Sequence, residues 1–498
     1  MRNPIVFTFT ILVIVSSILA YLTQSILVMS FGGVMLILDT VAWYEYFQKK
    51  HTLKRNFPIF GNLRWVFEAQ RDKIRQYFNE SDLDGTPFNK EQRSIVFQRS
   101  KLEQETVAFG TQTDVYKEKH EFVSHSMFPK KAIDTRVMVG GKDCMRKYDM
   151  SRINISAMSY GALNDRAIRA LNLGAEKGKF AHNTGEGGIS KYHLMGGDLI
   201  FQVGTGYFGA GYTDENSIRQ FSDDKFTENA TKEEVKMIEL KLSQGAKPGH
   251  GGILPAIKNT KEIAEIRGVE PFKTVHSPSG HSAFSDNMGL SNFIHKLRKL
   301  STHKPIGIKF CVTNEEEIDD MIKIFGETDR MPDFITIDGS EGGTGSAPLE
   351  YSNNVGYPLI EGLVIVKNSI DKFSKKYPEL KNIKIITSGK AITSFDVVKL
   401  IALGSDAVNM SRAFMFSLGC IQARQCNKDT CPSGITTNNP NLKRGLVVEE
   451  KYIRVYNFHR ETMKQVIDMI GSMGLNNLDE LTPKKIMKRD INNVIKSY

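Results

Sequence analysis

Cysteine is scarce in this chain: five in 498 residues, three of them within a stretch of twelve. So sparse a set excludes a disulfide framework and fits a reducing compartment. No short internal repeat and no low-complexity tract occurs, so neither a repeat array nor a disordered linker organises the chain. No nucleic-acid motif accompanies the net charge of +10. With 40% hydrophobic and 24% charged residues the composition is that of an ordinary globular protein. The length exceeds one typical domain, yet one large α/β barrel absorbs much of it.

What the chain does have begins at its N-terminus. Residues 5–38 are almost uninterruptedly apolar. As a single helix they would run to about 50 Å, against a hydrocarbon core of roughly 30 Å. Two closely spaced spans, 5–22 and 25–38 with Thr23 and Gln24 at the turn, fit that thickness. One tilted span with an interfacial continuation is the alternative. A cleaved signal peptide would have a shorter apolar core and a small-x-small cleavage site. Trp43, Tyr44 and Tyr46 stand where interfacial aromatics belong, and Lys49, Lys50, Lys54 and Arg55 follow. By the positive-inside rule the rest of the chain is expected in the cytoplasm, anchored to a membrane. Residues 49–101 carry twelve Lys and Arg against six Asp and Glu, +6 of the net charge. A basic face toward anionic lipid explains that bias better than nucleic acid does. Within it, residues 61–78 read as an amphipathic helix, lying on the bilayer or packing on the domain that follows.

From residue 153 onward short apolar runs alternate with helical stretches, which implies a parallel sheet. Strands are expected at 153–158, 274–277, 306–312, 334–338, 383–388 and 406–411, with helices at 164–177, 315–325 and 394–403. An open doubly wound sheet is the alternative, but glycine and polar residues recur just after the strand ends, which suits a (β/α)8 barrel with its active site on one face. The stretch 196–247 reads as a long insertion with excursions over the barrel mouth. Within it, residues 204–209 match G-x-G-x-x-G but lack the helix and acidic residue of a dinucleotide site, so a flexible loop is expected. The turns Ser388-Gly389-Lys390 and Asn409-Met410-Ser411-Arg412 resemble a phosphate cradle late in a barrel. The expected organisation is an anchor at 1–45, a basic linker with helical extension at 46–150, the barrel at 151–460 and a helical tail at 461–498.

The clustered cysteines, Cys420, Cys426 and Cys431, follow a C-x5-C-x4-C pattern ended by Pro432. Helical neighbours sit three or four residues apart, so the stretch 419–434 reads as a loop folded around something. Thiolates gathered this tightly suit an iron–sulfur centre. Zinc, which wants a fourth ligand, and unligated thiols are the rival readings. Cys144 and Cys311 stand apart as buried thiols.

Six motifs occur in order: NTGEGG (183–188), QGAKPGHGG (244–252), HSPSGHS (276–282), GIKF (307–310), GSEGGTGSAP (339–348) and the cysteine loop. Together they resemble the FMN-binding synthase domain of glutamate synthase, over roughly residues 85–460. The resemblance is nearest to stand-alone, membrane-tethered members of that family. It implies an FMN-bearing barrel with a 3Fe-4S cluster on Cys420, Cys426 and Cys431. It also implies flavin contacts from Ser159, Gln244, Lys309, Gly342, Gly343, Ser388, Gly389, Ser411 and Arg412. Lys247, Arg267 and Ser277 match positions that hold 2-oxoglutarate. Glu186 matches an active-site glutamate that donates a proton to the imine or orients it, and His281 binds substrate or caps its loop. The implied reaction is reduction of 2-iminoglutarate, formed from 2-oxoglutarate and ammonia, to glutamate. Other flavin chemistry on an amino or 2-oxo acid, or a non-catalytic electron-transfer role, are the alternatives.

The match has departures. Ile253 stands where the large synthases carry a glutamine, His250 replaces a glutamate and Glu341 replaces an aspartate. No cysteine precedes Cys144, so ammonia from an N-terminal cysteine is not expected. No pyridine-nucleotide domain is evident, so electrons are expected from a separate ferredoxin or reductase.

Overall fold

A computed structural model describes residues 2–498. The chain forms two compact units, 1–90 and 91–498.

In the first unit, helices α1 (Arg2–Thr23) and α2 (Ile26–Phe47) form a hairpin, turned at Gln24 with φ 49°. Both are long and apolar enough to cross a membrane. The second runs nine residues past the expected boundary, so the aromatics at 43–46 lie on its last turns. The few polar groups between the helices are satisfied: Thr10 donates to Asp39 at 2.8 Å and accepts from Trp43 Nε1 at 3.1 Å. Helix α3 (Gly61–Ile74) follows and continues as a π turn over Arg75–Asn79.

The second unit is built on a closed eight-stranded parallel barrel. Its strands are β1 (Ile153–Ile155), β2 (His182–Asn183), β3 (Leu199–Val203), β4 (Val235–Lys241), β5 (Ile306–Phe310), β6 (Phe334–Asp338), β7 (Lys384–Ser388) and β8 (Ala407–Met410). Closure comes where β8 pairs with β1, Val408 opposite Ile153, and where β4 pairs with β5. Helices α4 (Asp165–Gly178), α5 (Lys261–Arg267), α6 (Asn287–Leu300), α7 (Glu315–Thr328), α8 (Leu359–Phe373) and α9 (Ser394–Ala402) lie between strands. Asn164, Asn314 and Thr393 cap their helices with side-chain oxygens. Helix α10 (Arg412–Ser417) follows β8, and α11 (Val448–Ser472) packs on α4. Two late strands, Ile486–Arg489 and Ile495–Ser497, complete a small sheet with Glu121–Val123, so the tail from 461 is α-helical only to Ser472.

Two expectations need correction. Residues 274–277 are not a barrel strand: Val275–His276 pairs antiparallel with Ile253–Leu254 in a hairpin over the barrel mouth. The stretch 196–247 is not one insertion, for it contains β3 and β4. Strand β4 hid because Glu239 and Lys241 interrupt its apolar run, and β2 because it is two residues long.

Candidate active site

The C-terminal ends of the barrel strands carry a set of buried ionisable groups. Glu186, in the loop after β2, is ion-paired to Lys241 at the end of β4, Nζ to Oε2 3.0 Å. Burial pushes the Glu186 pKa up, but Lys241, then Arg267 and Lys247, outweigh it, so the carboxyl stays ionised below its ordinary range. Glycine makes the room: a Cβ on Gly252 would run into the Glu186 carboxylate, and one on Gly251 into the Ser277 carbonyl.

Lys247 is fully buried, its Nζ 3.3 Å from the Ser346 hydroxyl, and burial lowers its pKa to about 8. Arg267 ends α5 but is no surface charge, being 5% exposed. Its Nη2 donates to the Tyr160 carbonyl at 3.1 Å and reaches Ser159 Oγ at 3.5 Å, and its guanidinium stacks 5.1 Å over Phe208. Burial brings its pKa down to about 10, and its Nε has no hydrogen-bond partner among the described residues. Ser277 closes the mouth hairpin, its N–H donating to the Gly252 carbonyl at 2.8 Å. Ile253, half-buried, lies on the same hairpin.

His281 has both ring nitrogens engaged. Nε2 faces the Lys241 carbonyl at 2.9 Å and so donates, which leaves Nδ1 to accept from the Tyr207 hydroxyl at 3.0 Å. Burial lowers its pKa to about 4, so it is neutral near pH 7. That geometry is a brace. Residues 204–209 are no flexible loop either. Tyr207 and Phe208 are buried, and Arg219 grips the Gly206 carbonyl at 2.7 Å.

Gln244 Oε1 accepts from Lys241 Nζ at 3.2 Å. Lys309, at the end of β5, pairs with Asp338 at 3.3 Å. Burial opposes its charge, but Asp338 and Glu239 prevail and its pKa rises. On the opposite rim, burial and then Arg412 lower the Lys390 pKa, and burial lowers Arg412 to about 10. Arg412 donates to the Glu341 carbonyl at 3.0 Å and lies against Gly343. The Ser388 hydroxyl sits 3.1 Å from that of Ser156, and Gly389 faces Leu359. Gly342 closes a tight turn onto the Gly339 carbonyl, and Ser411 leads into α10. The Glu341 carboxylate accepts from the Leu359 N–H at 2.9 Å, so it caps α8.

The stretch 419–434 is irregular backbone, with left-handed residues at Gln422, Arg424 and Asp429. Cys431 is buried and Cys420 and Cys426 half-buried. Burial raises the Cys420 pKa to about 12, Cys426 and Cys431 adding to it, while the Gln422 N–H points at its sulfur from 3.4 Å. Among the described residues no three His, Cys, Asp or Glu side chains stand close enough to share one metal ion. Buried Lys258 donates to the Cys426 carbonyl at 3.2 Å and to that of Ala162. Cys144 and Cys311 are isolated buried thiols, raised by burial to about 11 and about 12.

Sequence reasoning missed Lys241, Lys258 and Glu239. The last is fully buried inside the barrel and accepts from Asn183, Gln202 and Thr336. Lys241 stands three residues before the Gln244 motif, at a strand end, which is the one signal that marked it.

A model of the conserved region in glutamate synthase matches residues 91–476. The glutamate synthase large subunit-like protein YerD of Bacillus subtilis is 33% identical over 486 residues, covering 89% of this chain and 90% of its own length. The archaeal-type glutamate synthase [NADPH] of Thermotoga sp. is 31% identical over 344 residues, 68% of this chain and 62% of that protein. The Bacillus subtilis glutamate synthase [NADPH] large chain is 27% identical over 339 residues, 67% of this chain but 20% of that protein. With a barrel of this topology and motifs in this order, the chain belongs to the glutamate synthase family of oxidoreductases.

Proposed function

We propose that the chain is a membrane-anchored flavoprotein of glutamate synthase type that reduces the imine of 2-oxoglutarate to glutamate. The observation that carries this reading is a pair of buried cations without an ion-pair partner. Glu186 is surrounded by Lys241, Arg267 and Lys247 in a buried mouth, and only Lys241 pairs with it. Glu186 is taken by Lys241 and Asp338 by Lys309, so Lys247 and Arg267 are left with no ion pair among the described residues, and buried charge is costly unless paired, which suits them to substrate carboxylates.

The far rim suits the phosphate of FMN. Lys390 and Arg412 stand close to each other there beside Gly343 and Gly389. Ser159, Gln244, Lys309, Gly342, Ser388 and Ser411 complete the candidate cradle. Reduced FMN supplies a hydride. The chain's own residues do the rest. Lys247 and Arg267 hold the substrate carboxylates, with Ser277 as a further donor. Glu186, ionised, orients the protonated imine as acceptor. Lys309 remains charged beside the place where the flavin ring would gain electrons. His281, neutral and doubly bonded, fixes the β4 end that carries Lys241.

Cys420, Cys426 and Cys431 are the candidate ligands of a 3Fe-4S cluster, which would supply one-electron transfer. The N–H pointing at Cys420 and the nearby Lys258 favour an anionic centre. Electrons would then reach the barrel from a separate donor, such as a ferredoxin or a membrane reductase, with the catalytic unit on the cytoplasmic side. Ile253 on the mouth hairpin favours a second reading, in which the substrate is a less polar 2-oxo acid.

The purified protein is expected to be yellow-brown, with bound FMN, iron and acid-labile sulfide, and to form glutamate from 2-oxoglutarate, ammonium and a reduced donor under anaerobic conditions. A colourless, iron-free protein rejects the proposal. Flavin that is reduced without glutamate formation rejects the substrate.

A further inference from the structure

Helix α3 leaves an apolar stripe uncovered. Leu63, Val66, Phe67 and Ile74 recur at helical spacing, and Phe78 extends the stripe on the π turn. All five are exposed, Phe67 at 65% and Phe78 at 83%. Arg64, Arg71 and Arg75 flank one side of the stripe and Lys73 the other; Arg71 reaches Glu68 at 3.5 Å and Arg75 pairs with Glu80 at 2.6 Å, while Asp72 lies on the far face. The hairpin fixes where this helix starts. Glu45, on the last turn of α2 and 4% exposed, accepts from the Ile59 N–H and from Asn62 Nδ2, each at 2.6 Å, and pairs with Lys54 at 3.8 Å. The first turn of α3 is therefore tied to the end of an apolar hairpin, beside Lys49, Lys50, Lys54 and Arg55.

We infer that α3 lies in the headgroup layer of an anionic membrane, its stripe among the acyl chains and its arginines on lipid phosphates. The stripe supplies apolar area and the cations supply selectivity for negative lipid. A protein partner would need an acidic complement to the same cations; the tether to the hairpin end favours lipid. The inference rests on the hairpin crossing the bilayer.

The chain has two tryptophans, Trp43 in the hairpin and Trp65 on α3, which permits a clean test. The full chain is reconstituted into phosphatidylcholine vesicles with or without phosphatidylglycerol, using brominated acyl chains as quenchers. Trp65→Phe leaves Trp43 to report the hairpin. Phe67→Trp in a Trp43→Phe/Trp65→Phe background reports the stripe. Trp43 should be quenched in both lipids. The residue-67 reporter should be quenched at least several-fold more strongly with phosphatidylglycerol, and Arg64→Gln/Arg71→Gln/Arg75→Gln should remove that difference. A quenched Trp43 with an unquenched position 67 overturns the inference alone, and places the stripe against protein. Equal quenching in both lipids overturns the role given to the cations. An unquenched Trp43 overturns the hairpin reading instead.

Discussion

Lys241 Nζ lies 3.0 Å from Glu186 Oε2, joining the end of β4 to the loop after β2 across the barrel mouth. Both side chains are largely buried, so removing one partner strands the other. Lys241→Met should destabilise the protein by about 3–5 kcal/mol. The double variant Lys241→Met/Glu186→Gln should recover part of that loss. Denaturant unfolding of the four proteins of the cycle measures it, and additive effects would mean the pair is not coupled.

Lys247 should set an alkaline limit on activity. Its pKa of about 8 leaves it charged below that pH and neutral above it. A substrate carboxylate needs the charged form, so kcat/KM for 2-oxoglutarate should fall as pH rises through about 8, since that ratio reports the free enzyme. Lys247→Gln should show a low kcat/KM without this limb. A limb retained in that variant would assign it to another group.

Ile253→Gln adds a donor and an acceptor at the mouth hairpin beside Ser277. If 2-oxoglutarate is the substrate, its KM should fall by up to roughly tenfold, the worth of one good hydrogen bond. Steady-state kinetics with 2-oxoglutarate and with a monocarboxylic 2-oxo acid, run side by side, decide it. A gain confined to the monocarboxylate would contradict the expectation.

Lys258→Met removes a buried positive charge that donates to the Cys426 carbonyl. Reduction of the proposed cluster would add negative charge to the cysteine loop, so the cluster's midpoint potential should drop, on the order of tens of millivolts. An EPR-monitored redox titration reads this without any turnover. An unchanged potential would leave Lys258 a purely structural link.

Much of this was legible before any coordinates. Strand Phe334–Asp338 matches its expected bounds and helix Ser394–Ala402 stops one residue short of its own, because an apolar run and an amphipathic repeat are local signals. Strand β4 was not legible, since its polar residues serve the barrel interior and mouth rather than solvent. Nor was the pairing of Glu186 with Lys241, which are 55 positions apart and meet only because the barrel closes. Arg267 shows the limit from the other side. Its spacing suits the outer face of a helix end, yet the loop at Ser159–Tyr160 folds over it.

Gly345 has the Cys426 Cβ within 3.5 Å of where its own would stand, while Gly343, two residues earlier, rests on Arg412. One short glycine loop thus leans on the sulfur-bearing loop at one point and on the rim of the barrel at another. If the cysteine loop holds the proposed cluster, maturation of the two halves should be interdependent: a cell starved of iron would accumulate a protein that also sheds its flavin, and restoring flavin alone would not mend it.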